Sequence, residues 1–203
     1  MLPKKLRPRP LSPSTPDFHL LKQLQDLGYQ EIVGVDEVGR GALAGPVIVA
    51  AVEIATEIPG VNDSKLLERR FRAEVAQIIH RSVVRIRFGY ASHLEIDSLG
   101  LSQALRLAYQ RALSEFEADL VLTDHYDPPT KCRYIRATHG DSLFYPVAAA
   151  SIVAKVYRDQ LMKVYDRFFP EYVWHQNAGY GTAFHRQKIS EIGPCTLHRQ
   201  SFL

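Results

Sequence analysis

Two strand-like runs joined by a glycine-rich link constrain the fold of this chain more than any other feature. The first run reads EIVGVDEV from Glu31, and the second reads ALAGPVIVAAVEI up to Ile54. Both are rich in β-branched residues, and the link between them contains Gly39 and Gly41. A short link of this kind predicts an antiparallel pair of strands. The second run is apolar on both faces, which is typical of a central strand.

The rest of the chain alternates between helical and strand-like patterns. The first helix would be capped by Asp17 or Thr15 and ended by Gly28. Periodicity predicts helices over about residues 17–27, 65–81, 101–116 and 142–168, and further strands over residues 83–90, 119–123 and 134–137. This order predicts an α/β fold with a mixed sheet covered by helices on both faces and a helix-rich C-terminal region. We find no internal repeat and no second domain boundary.

Length and composition predict one folded domain with a basic tail. The chain has 203 residues, of which 46% are apolar, enough for a single core. Residues 1–16 combine five prolines with Lys4, Lys5, Arg7 and Arg9, so they predict a flexible basic tail before a single domain over residues 17–203. The net charge of +3 is compatible with a nucleic-acid partner but does not indicate one.

No membrane or secretory segment is expected. The uncharged apolar stretches over residues 41–52 and 142–154 are shorter than the roughly 18 residues that a spanning helix needs. The proline-rich, basic N-terminus lacks the apolar core of a signal peptide. Cys132 and Cys195 are expected to be free thiols, because neither belongs to a metal-binding or paired pattern. We therefore expect a cytoplasmic protein, and nothing indicates more than a monomer.

Four acidic residues are candidates for metal chemistry. Asp36 and Glu37 are adjacent in the first strand, where both side chains could reach one site only near the strand's end or at a bulge. Asp124 follows a buried strand, and Asp141 precedes the alanine-rich helix, where the alternative role is an N-cap. Carboxylates suit Mg²⁺ or Mn²⁺, and two such ions could support phosphodiester hydrolysis. Spacing alone does not establish such a site.

Glycine-rich and basic segments are candidates for contacts with phosphate and sugar. Gly39, Arg40 and Gly41 follow the first acidic pair, and a backbone of this kind can approach a phosphate closely. Tyr180, within GYGT, could stack on a sugar or base, although a packed turn is the alternative. Further cationic candidates, each more commonly a solvated charge, are Lys65, Lys155 and Arg158.

Taken together, these segments resemble ribonuclease HII, the type 2 ribonuclease H. The blocks that carry the resemblance occur in order from about Ile32 to Phe202. They read GVDEVGRGALAGPVIVAAV, NDSKLL, ASHLEIDSLGLSQAL, VLTD, GDSLFYPVAAASIVAKVYRD, GYGTAFH and IGPCTLHRQSF. The resemblance implies a ribonuclease H-like fold with a helical C-terminal region.

The resemblance also implies an activity and a set of site residues. The family cleaves the RNA strand of RNA–DNA hybrids and incises 5′ to a single ribonucleotide in duplex DNA, leaving a 3′-hydroxyl and a 5′-phosphate. It implies a two-metal site for Mg²⁺ or Mn²⁺. The implied metal-binding acids are Asp36, Glu37, Asp124 and Asp141, and the implied substrate contacts are Gly39, Arg40, Gly41 and Tyr180, with Lys65 a further candidate.

Three positions depart from the family pattern. His125 stands where the family usually has glycine after the strand-end Asp124. Ala178 stands where lysine is usual before GYGT, which would remove one phosphate contact, and Pro146 replaces the usual serine before the alanine run. None of the three is one of the four acids, so activity is still expected.

Three other interpretations fit the sequence less well. Ribonuclease HIII shares the fold but adds an N-terminal binding domain, for which the 35 residues before Asp36 leave little room. A catalytically silent hybrid-binding module would be favoured by the loss of an acid, but all four are present. An unrelated α/β enzyme with structural acids would not explain the ordered blocks.

Overall fold

The computed structural model describes residues 16–62, 64 and 67–203. The predicted tail therefore lies outside the described residues except for Pro16, which is buried, and Lys65 lies outside them as well. The helices are α1 (Phe18–Asp26), α2 (Arg69–Ser82), α3 (His93–Leu99), α4 (Leu101–Leu113), α5 (Gly140–Leu143), α6 (Tyr145–Asp166), α7 (Trp174–Asn177) and α8 (Ala183–Ile192). The strands are β1 (Ile32–Val38), β2 (Val47–Glu53), β3 (Arg85–Ala91), β4 (Leu120–Asp124) and β5 (Arg133–Ala137).

The strands form one mixed sheet in the order β3-β2-β1-β4-β5. β1 and β2 pair antiparallel, as the sequence predicts, and β3 extends this antiparallel half. β4 pairs parallel to β1, with Val35 opposite Thr123, and β5 is parallel to β4. The pairing of β1 with β4 ends at Val35 and Thr123, directly before Asp36 and Asp124, so these two acids lie at the same edge of the sheet.

Helices cover both faces of the sheet. Ala50 and Val52 of β2 pack with α1, α2 and α6 on one face, whereas Val49 and Ala51 pack with α3 and α4 on the other. This alternation follows from the two-residue period of a strand. It confirms the predicted α/β fold with a mixed sheet flanked by helices.

A close approach between α6 and β1 requires a glycine. A Cβ atom built on Gly34 would lie 2.2 Å from the backbone carbon of Pro146, so no other residue fits there without movement. Pro146 stands in the first turn of α6, where its missing N–H leaves no helix bond unmade. This contact fixes the start of α6 directly over the centre of the sheet.

The predicted helix over residues 142–168 is in fact two helices. Phe144, with extended backbone angles, separates α5 from α6. Pro146 explains the break, because inside a continuous helix it would leave the carbonyl group of Ser142 without its hydrogen-bond donor. The helix predicted from residue 65 also begins later, at Arg69, after Leu67 and Glu68.

The C-terminal region forms a third small core. It packs Ala44, Met162, Tyr172, Trp174 and Ala178 together, with α7 and α8 around them. Backbone hydrogen bonds join this region to the loop after β1, from Leu43 N–H to Gly179 and from Arg199 N–H to Leu43. The helical C-terminal region thus forms one wall beside the end of β1. No helix among the described residues is long and apolar enough to cross a membrane.

Candidate active site

A cleft of about 330 Å³ opens at the carboxyl ends of β1 and β4. Its lining residues are Asp36, Glu37, Val38, Gly39, Arg40, Gly41, Ser64, Arg72, Asp124, Ser151, Lys155 and Tyr180. The structure therefore brings together three of the four predicted acids, the whole glycine–arginine–glycine segment and the predicted tyrosine. Two separate parts of the sequence, the loop after β1 and the turn before α8, meet here.

Asp36 and Glu37 reach the cleft from opposite faces of β1. The pairing of β1 with β2 is regular across both residues, so no bulge is present. Asp36 lies on the α6 side, where the hydroxyl group of Ser151 donates to its carboxylate. Glu37 lies on the α4 side, where it contacts Tyr109. The strand ends at Val38, so both side chains reach the cleft from the strand's end, the first of the two possibilities that the sequence left open.

The Asp36 carboxyl group is strongly perturbed. Burial raises its pKa well above the usual range, and the negative charges of Glu37 and Asp141 raise it further, against the hydrogen bond from Ser151. A concentration of negative charge in a buried place is unfavourable unless a cation or a proton compensates it. This site is therefore one where a bound cation would relieve repulsion.

Tyr109 and Arg40 hold the Glu37 carboxylate from two sides. The Tyr109 hydroxyl group donates to Oε2 at 2.5 Å, and Nη1 of Arg40 donates to Oε1 at 3.0 Å. Burial raises the pKa of Tyr109 well above its usual value, and the charge of Glu37 adds to this, so the hydroxyl group keeps its proton as a donor. The sequence did not reveal Tyr109, because it falls on the apolar stripe of α4 and is typical of a core residue there.

Asp124 ends β4 and contacts the loop that leads to α5. Its Oδ1 accepts a hydrogen bond from the backbone N–H of Gly140 at 3.0 Å and lies 3.1 Å from Nδ1 of His125. His125 has a φ of 45°, a backbone conformation that favours glycine. The usual glycine of the family at this position is thus explained by the turn that follows Asp124.

Asp141 is buried and does not line the cleft. It lies in the first turn of α5, and its side chain is 2% exposed. The alternative role as an N-cap is wrong, because His139 occupies the N-cap of α5 and Phe144 that of α6. The charge of Asp141 nevertheless acts on Asp36, which does line the cleft.

The cleft contains the type of ligand that a hard divalent cation prefers, but the side chains are not arranged around one ion. Three carboxylates line the cleft, and oxygen ligands of this kind are those that Mg²⁺ and Mn²⁺ prefer. Within the described part of the chain, however, no three His, Cys, Asp or Glu side chains are arranged to hold one ion together. Glu37 is turned toward Tyr109 and Arg40, and Asp124 toward Gly140 and His125. Rotation of these side chains would be needed to close a ligand set.

Two buried arginines support the loop that carries Gly39, Arg40 and Gly41. Arg158 donates to the carbonyl groups of Pro46, Ala44 and Ala178, and Arg199 donates to those of Gly45 and Arg40. A Cβ atom on Gly39 would lie 2.3 Å from Nε of Arg158, and the φ of Gly39 is 93°. The first glycine of this segment is therefore required by a guanidinium group packed beneath it.

This role of Arg158 corrects the sequence interpretation. A solvated charge is the commoner state for such a residue, yet Arg158 is fully buried, as is Arg199, which the sequence did not single out. Lys155 lines the cleft and pairs with Asp159, its Nζ 2.8 Å from Oδ1. Of the three further cationic candidates, Lys155 reaches the cleft and Arg158 supports its wall.

Tyr180 stands beside the glycine-rich loop, as its predicted role requires. It forms an antiparallel bridge with Ala42, and its ring lies 5.4 Å from Nζ of Lys155 and 5.2 Å from the guanidinium group of Arg158. Ala178 does not line the cleft. It is buried in the C-terminal core with a φ of 47°, and its carbonyl group accepts from Arg158. Position 178 is therefore not exposed to a phosphate in the cleft.

Comparison with known proteins agrees with this geometry. The sequence profile described as Ribonuclease HII matches residues 33–203. The chain belongs to the ribonuclease HII family. A ribonuclease HII from Syntrophotalea carbinolica is 43% identical over 186 residues, which make up 89% of this chain and 89% of the relative. Membership of the ribonuclease HII family makes the chain a type 2 ribonuclease H, a hydrolase acting on the RNA strand of RNA–DNA hybrids.

Solved structures of ribonucleases HII and HIII share the fold. The ribonuclease HII of the PCNA:RNase HII complex from Archaeoglobus fulgidus matches with a TM-score of 0.74 and 23% identity, over 86% of this chain and 96% of that one. The Bst ribonuclease HIII in complex with Mn²⁺ matches with a TM-score of 0.59 and 21% identity, over 83% and 65% of the two chains. Both confirm the ribonuclease H-like architecture.

Proposed function

We propose that this ribonuclease HII family member incises duplex DNA on the 5′ side of a single embedded ribonucleotide, besides cleaving RNA–DNA hybrids, and leaves a 3′-hydroxyl and a 5′-phosphate. The observation that carries the proposal is the single cleft in which Asp36, Glu37 and Asp124 face the glycine-rich loop and Tyr180. Acids that suit metal-assisted hydrolysis thus adjoin groups that suit recognition of a phosphate and a sugar.

The acids would hold divalent cations, Mg²⁺ or Mn²⁺, at two sites. Asp36 is the central ligand in this proposal, because its carboxyl group is buried and the charges of both Glu37 and Asp141 act on it. Glu37 and Asp124, from the neighbouring strand ends, and Asp141 would complete the set of four acids. When bound, such ions supply activation of the attacking water and stabilisation of the leaving 3′-oxygen. The Mn²⁺ complex of the related ribonuclease HIII supports this choice of cation.

The chain's own residues would orient the substrate. Arg40, half exposed and anchored to Glu37, offers its remaining N–H groups to a phosphate beside the acids. Lys155 adds a second positive charge on the same cleft. Lys65 is proposed for a phosphate contact on the sequence resemblance alone. These positively charged side chains would position the nucleic-acid strand along the cleft without recognising its bases.

Tyr180 and the glycine-rich backbone would distinguish a ribose from a deoxyribose. The 2′-hydroxyl is the only group that marks the sugar of an embedded ribonucleotide. Tyr180 lines the cleft and is partly exposed, with its backbone bridged to Ala42 and its ring beside Lys155, so the ring would meet one sugar there. Backbone N–H groups of Gly39 and Gly41 would hold the adjoining phosphate.

End mapping on defined duplexes tests this function. Purified protein is given three labelled duplexes that differ at one sugar, which is ribose, 2′-O-methylribose or deoxyribose. We expect a single cut 5′ to the ribose, with a 3′-hydroxyl that a polymerase extends and a 5′-phosphate that a phosphatase removes. The other two duplexes stay intact. A cut on the 3′ side, or equal cutting of the three duplexes, would contradict the proposal.

A further inference from the structure

A chain of hydrogen bonds runs from the C-terminal core to the backbone of Tyr180. Nδ1 of His185 lies 3.0 Å from the carbonyl oxygen of Tyr180. Its Nε2 lies 3.1 Å from Nε1 of Trp174 and 3.1 Å from Nε2 of His198. Nδ1 of His198 in turn lies 3.0 Å from the backbone nitrogen of Cys195. The three rings are almost fully buried.

The partners fix the position of every proton in this network. An indole or backbone N–H can only donate, and a carbonyl oxygen can only accept. Nε2 of His185 therefore accepts from Trp174, so the ring proton of His185 is on Nδ1 and is donated to Tyr180. Nδ1 of His198 accepts from Cys195, so its proton is on Nε2 and is donated to His185. Nε2 of His185 then shares its one lone pair between Trp174 and His198, and both rings are neutral.

We propose that His185 is a positioning residue for substrate discrimination: its Nδ1–H holds the Tyr180 carbonyl and thereby the angle at which the Tyr180 ring meets the sugar. His198 and Trp174 act through His185 by imposing its tautomer. The backbone N–H of Thr182 is a second donor to the same carbonyl oxygen. Without His185 the loop therefore keeps its backbone path, but the angle of the Tyr180 ring is no longer fixed. This inference rests on the proposed role of Tyr180.

The tautomers are tested on the intact protein, without any activity measurement. Long-range ¹H–¹⁵N NMR of the histidine rings at neutral pH distinguishes a proton on Nδ1 from one on Nε2. We expect the Nδ1-protonated form for His185 and the Nε2-protonated form for His198. The reverse pattern, or a charged His185 ring, would overturn the proposal whether or not the enzyme cleaves an embedded ribonucleotide.

Two substitutions separate the donor from the acceptor of His185. In His185→Asn the amide N–H stands near the position of Nδ1 and keeps a donor for Tyr180. In His185→Gln the amide reaches the position of Nε2 and keeps an acceptor for Trp174, but no donor reaches Tyr180. We expect the glutamine variant to displace the Tyr180 ring resonances and the asparagine variant to leave them near wild type. Equal displacement in both would overturn the proposal.

Kinetics then separate positioning from a structural role. The loss of one hydrogen bond predicts that His185→Gln lowers kcat at a single embedded ribonucleotide about fivefold to tenfold. KM and the cleavage of a long RNA–DNA hybrid should change by less than about twofold, and His185→Asn should stay near wild type. In a Tyr180→Ala background the glutamine substitution should have no further effect, because the two residues act as one unit. Additive losses would overturn the proposal.

The outcomes also distinguish this proposal from the proposed function. If the wild type leaves an embedded ribonucleotide intact, the proposed function fails. The NMR measurements then still test the proton positions on His185 and His198. If the wild type cleaves it but His185→Gln equals wild type in rate, the positioning role fails and the function stands.

Discussion

Arg199 donates a hydrogen bond from Nη1 to the carbonyl oxygen of Arg40 at 3.0 Å, although the two residues are 159 positions apart. Its Nε donates to the carbonyl of Gly45 at 2.9 Å. Arg158 makes two comparable bonds to the same loop, to the carbonyl groups of Pro46 and Ala44, and a third to Ala178 of the C-terminal core. Among the described residues, neither guanidinium group forms an ion pair with a carboxylate. Two buried positive charges therefore lie beneath the loop that we propose holds phosphate.

Arg199→Lys should destabilise the protein. A lysine has a single ammonium group and cannot reach both carbonyl groups with the geometry of a guanidinium fork. One buried carbonyl would then lose its donor, at a cost of about 1–3 kcal/mol in the free energy of unfolding. Urea denaturation measures this, with Arg70→Lys, an exposed residue paired with Glu74, as the matched control. An Arg199→Lys midpoint equal to that of the control would refute the supporting role of Arg199.

His125→Gly should not weaken the fold and is expected to strengthen it. A left-handed backbone costs an ordinary residue about 1–2 kcal/mol, and glycine avoids this cost but loses about 0.5–1 kcal/mol through the entropy of the unfolded chain. The difference predicts a gain of about 0–1.5 kcal/mol at the φ of 45° seen here. Chemical denaturation tests it, with His19→Gly on the exposed side of α1 as the contrast. If His125→Gly lowers the free energy of unfolding as much as His19→Gly does, the backbone of His125 is not strained.

Asp124→Asn should remove cleavage without unfolding the protein. The amide oxygen of asparagine can still accept from the N–H of Gly140, so the free energy of unfolding should change by less than about 0.5 kcal/mol. The negative charge that we propose binds a cation is lost. Steady-state cleavage and thermal unfolding are measured together, with Asp127→Asn, whose partner is the exposed Arg136, as the control. Wild-type rates in a folded Asp124→Asn protein would exclude Asp124 from the site.

Acid should destabilise the C-terminal core through His198. Burial, together with the nearby His185, lowers the pKa of His198 from its ordinary value of 6.5 to about 4. Between these values the unfolded chain binds a proton that the folded protein does not, so stability falls as the pH drops from 6.5 to 4. The shift corresponds to about 3 kcal/mol.

The single tryptophan of the chain reports this transition directly, because Trp174 lies in the same core. Urea unfolding followed by Trp174 fluorescence at pH 7 and pH 4 gives the loss of stability for wild type and for His198→Gln. The difference between the two proteins isolates the contribution of His198. An equal loss of stability in wild type and in His198→Gln would show that the His198 ring is not held neutral.

Several features of the fold and of the site could be predicted from the sequence. The antiparallel pairing of β1 and β2, the position of Asp124 at a strand end and the approach of Tyr180 to the glycine-rich loop all agree with the structure. Strand periodicity and the short link determine the first two. The third came from a resemblance to the ribonuclease HII family rather than from any spacing in the chain.

Other features depend on tertiary contacts that no local pattern contains. Arg158 and Arg199 are buried because loop carbonyl groups distant in sequence accept their protons, and a charged residue carries no local sign of such partners. Tyr109 was hidden for the opposite reason, since an apolar helix stripe predicts a core ring and gives no indication that its hydroxyl group reaches Glu37. The break at Phe144 could have been predicted from Pro146.

Metal dependence at a single ribonucleotide tests the central claim most directly. A labelled DNA duplex with one ribonucleotide is incubated with the protein in Mg²⁺, in Mn²⁺ or in excess chelator, beside an all-DNA duplex. The account predicts one cut next to the ribonucleotide with either cation, none with chelator, recovery when the cation is restored, and no cut in the all-DNA control. A cut that persists in chelator, or an intact duplex under every condition beside a cleaved RNA–DNA hybrid, would contradict it.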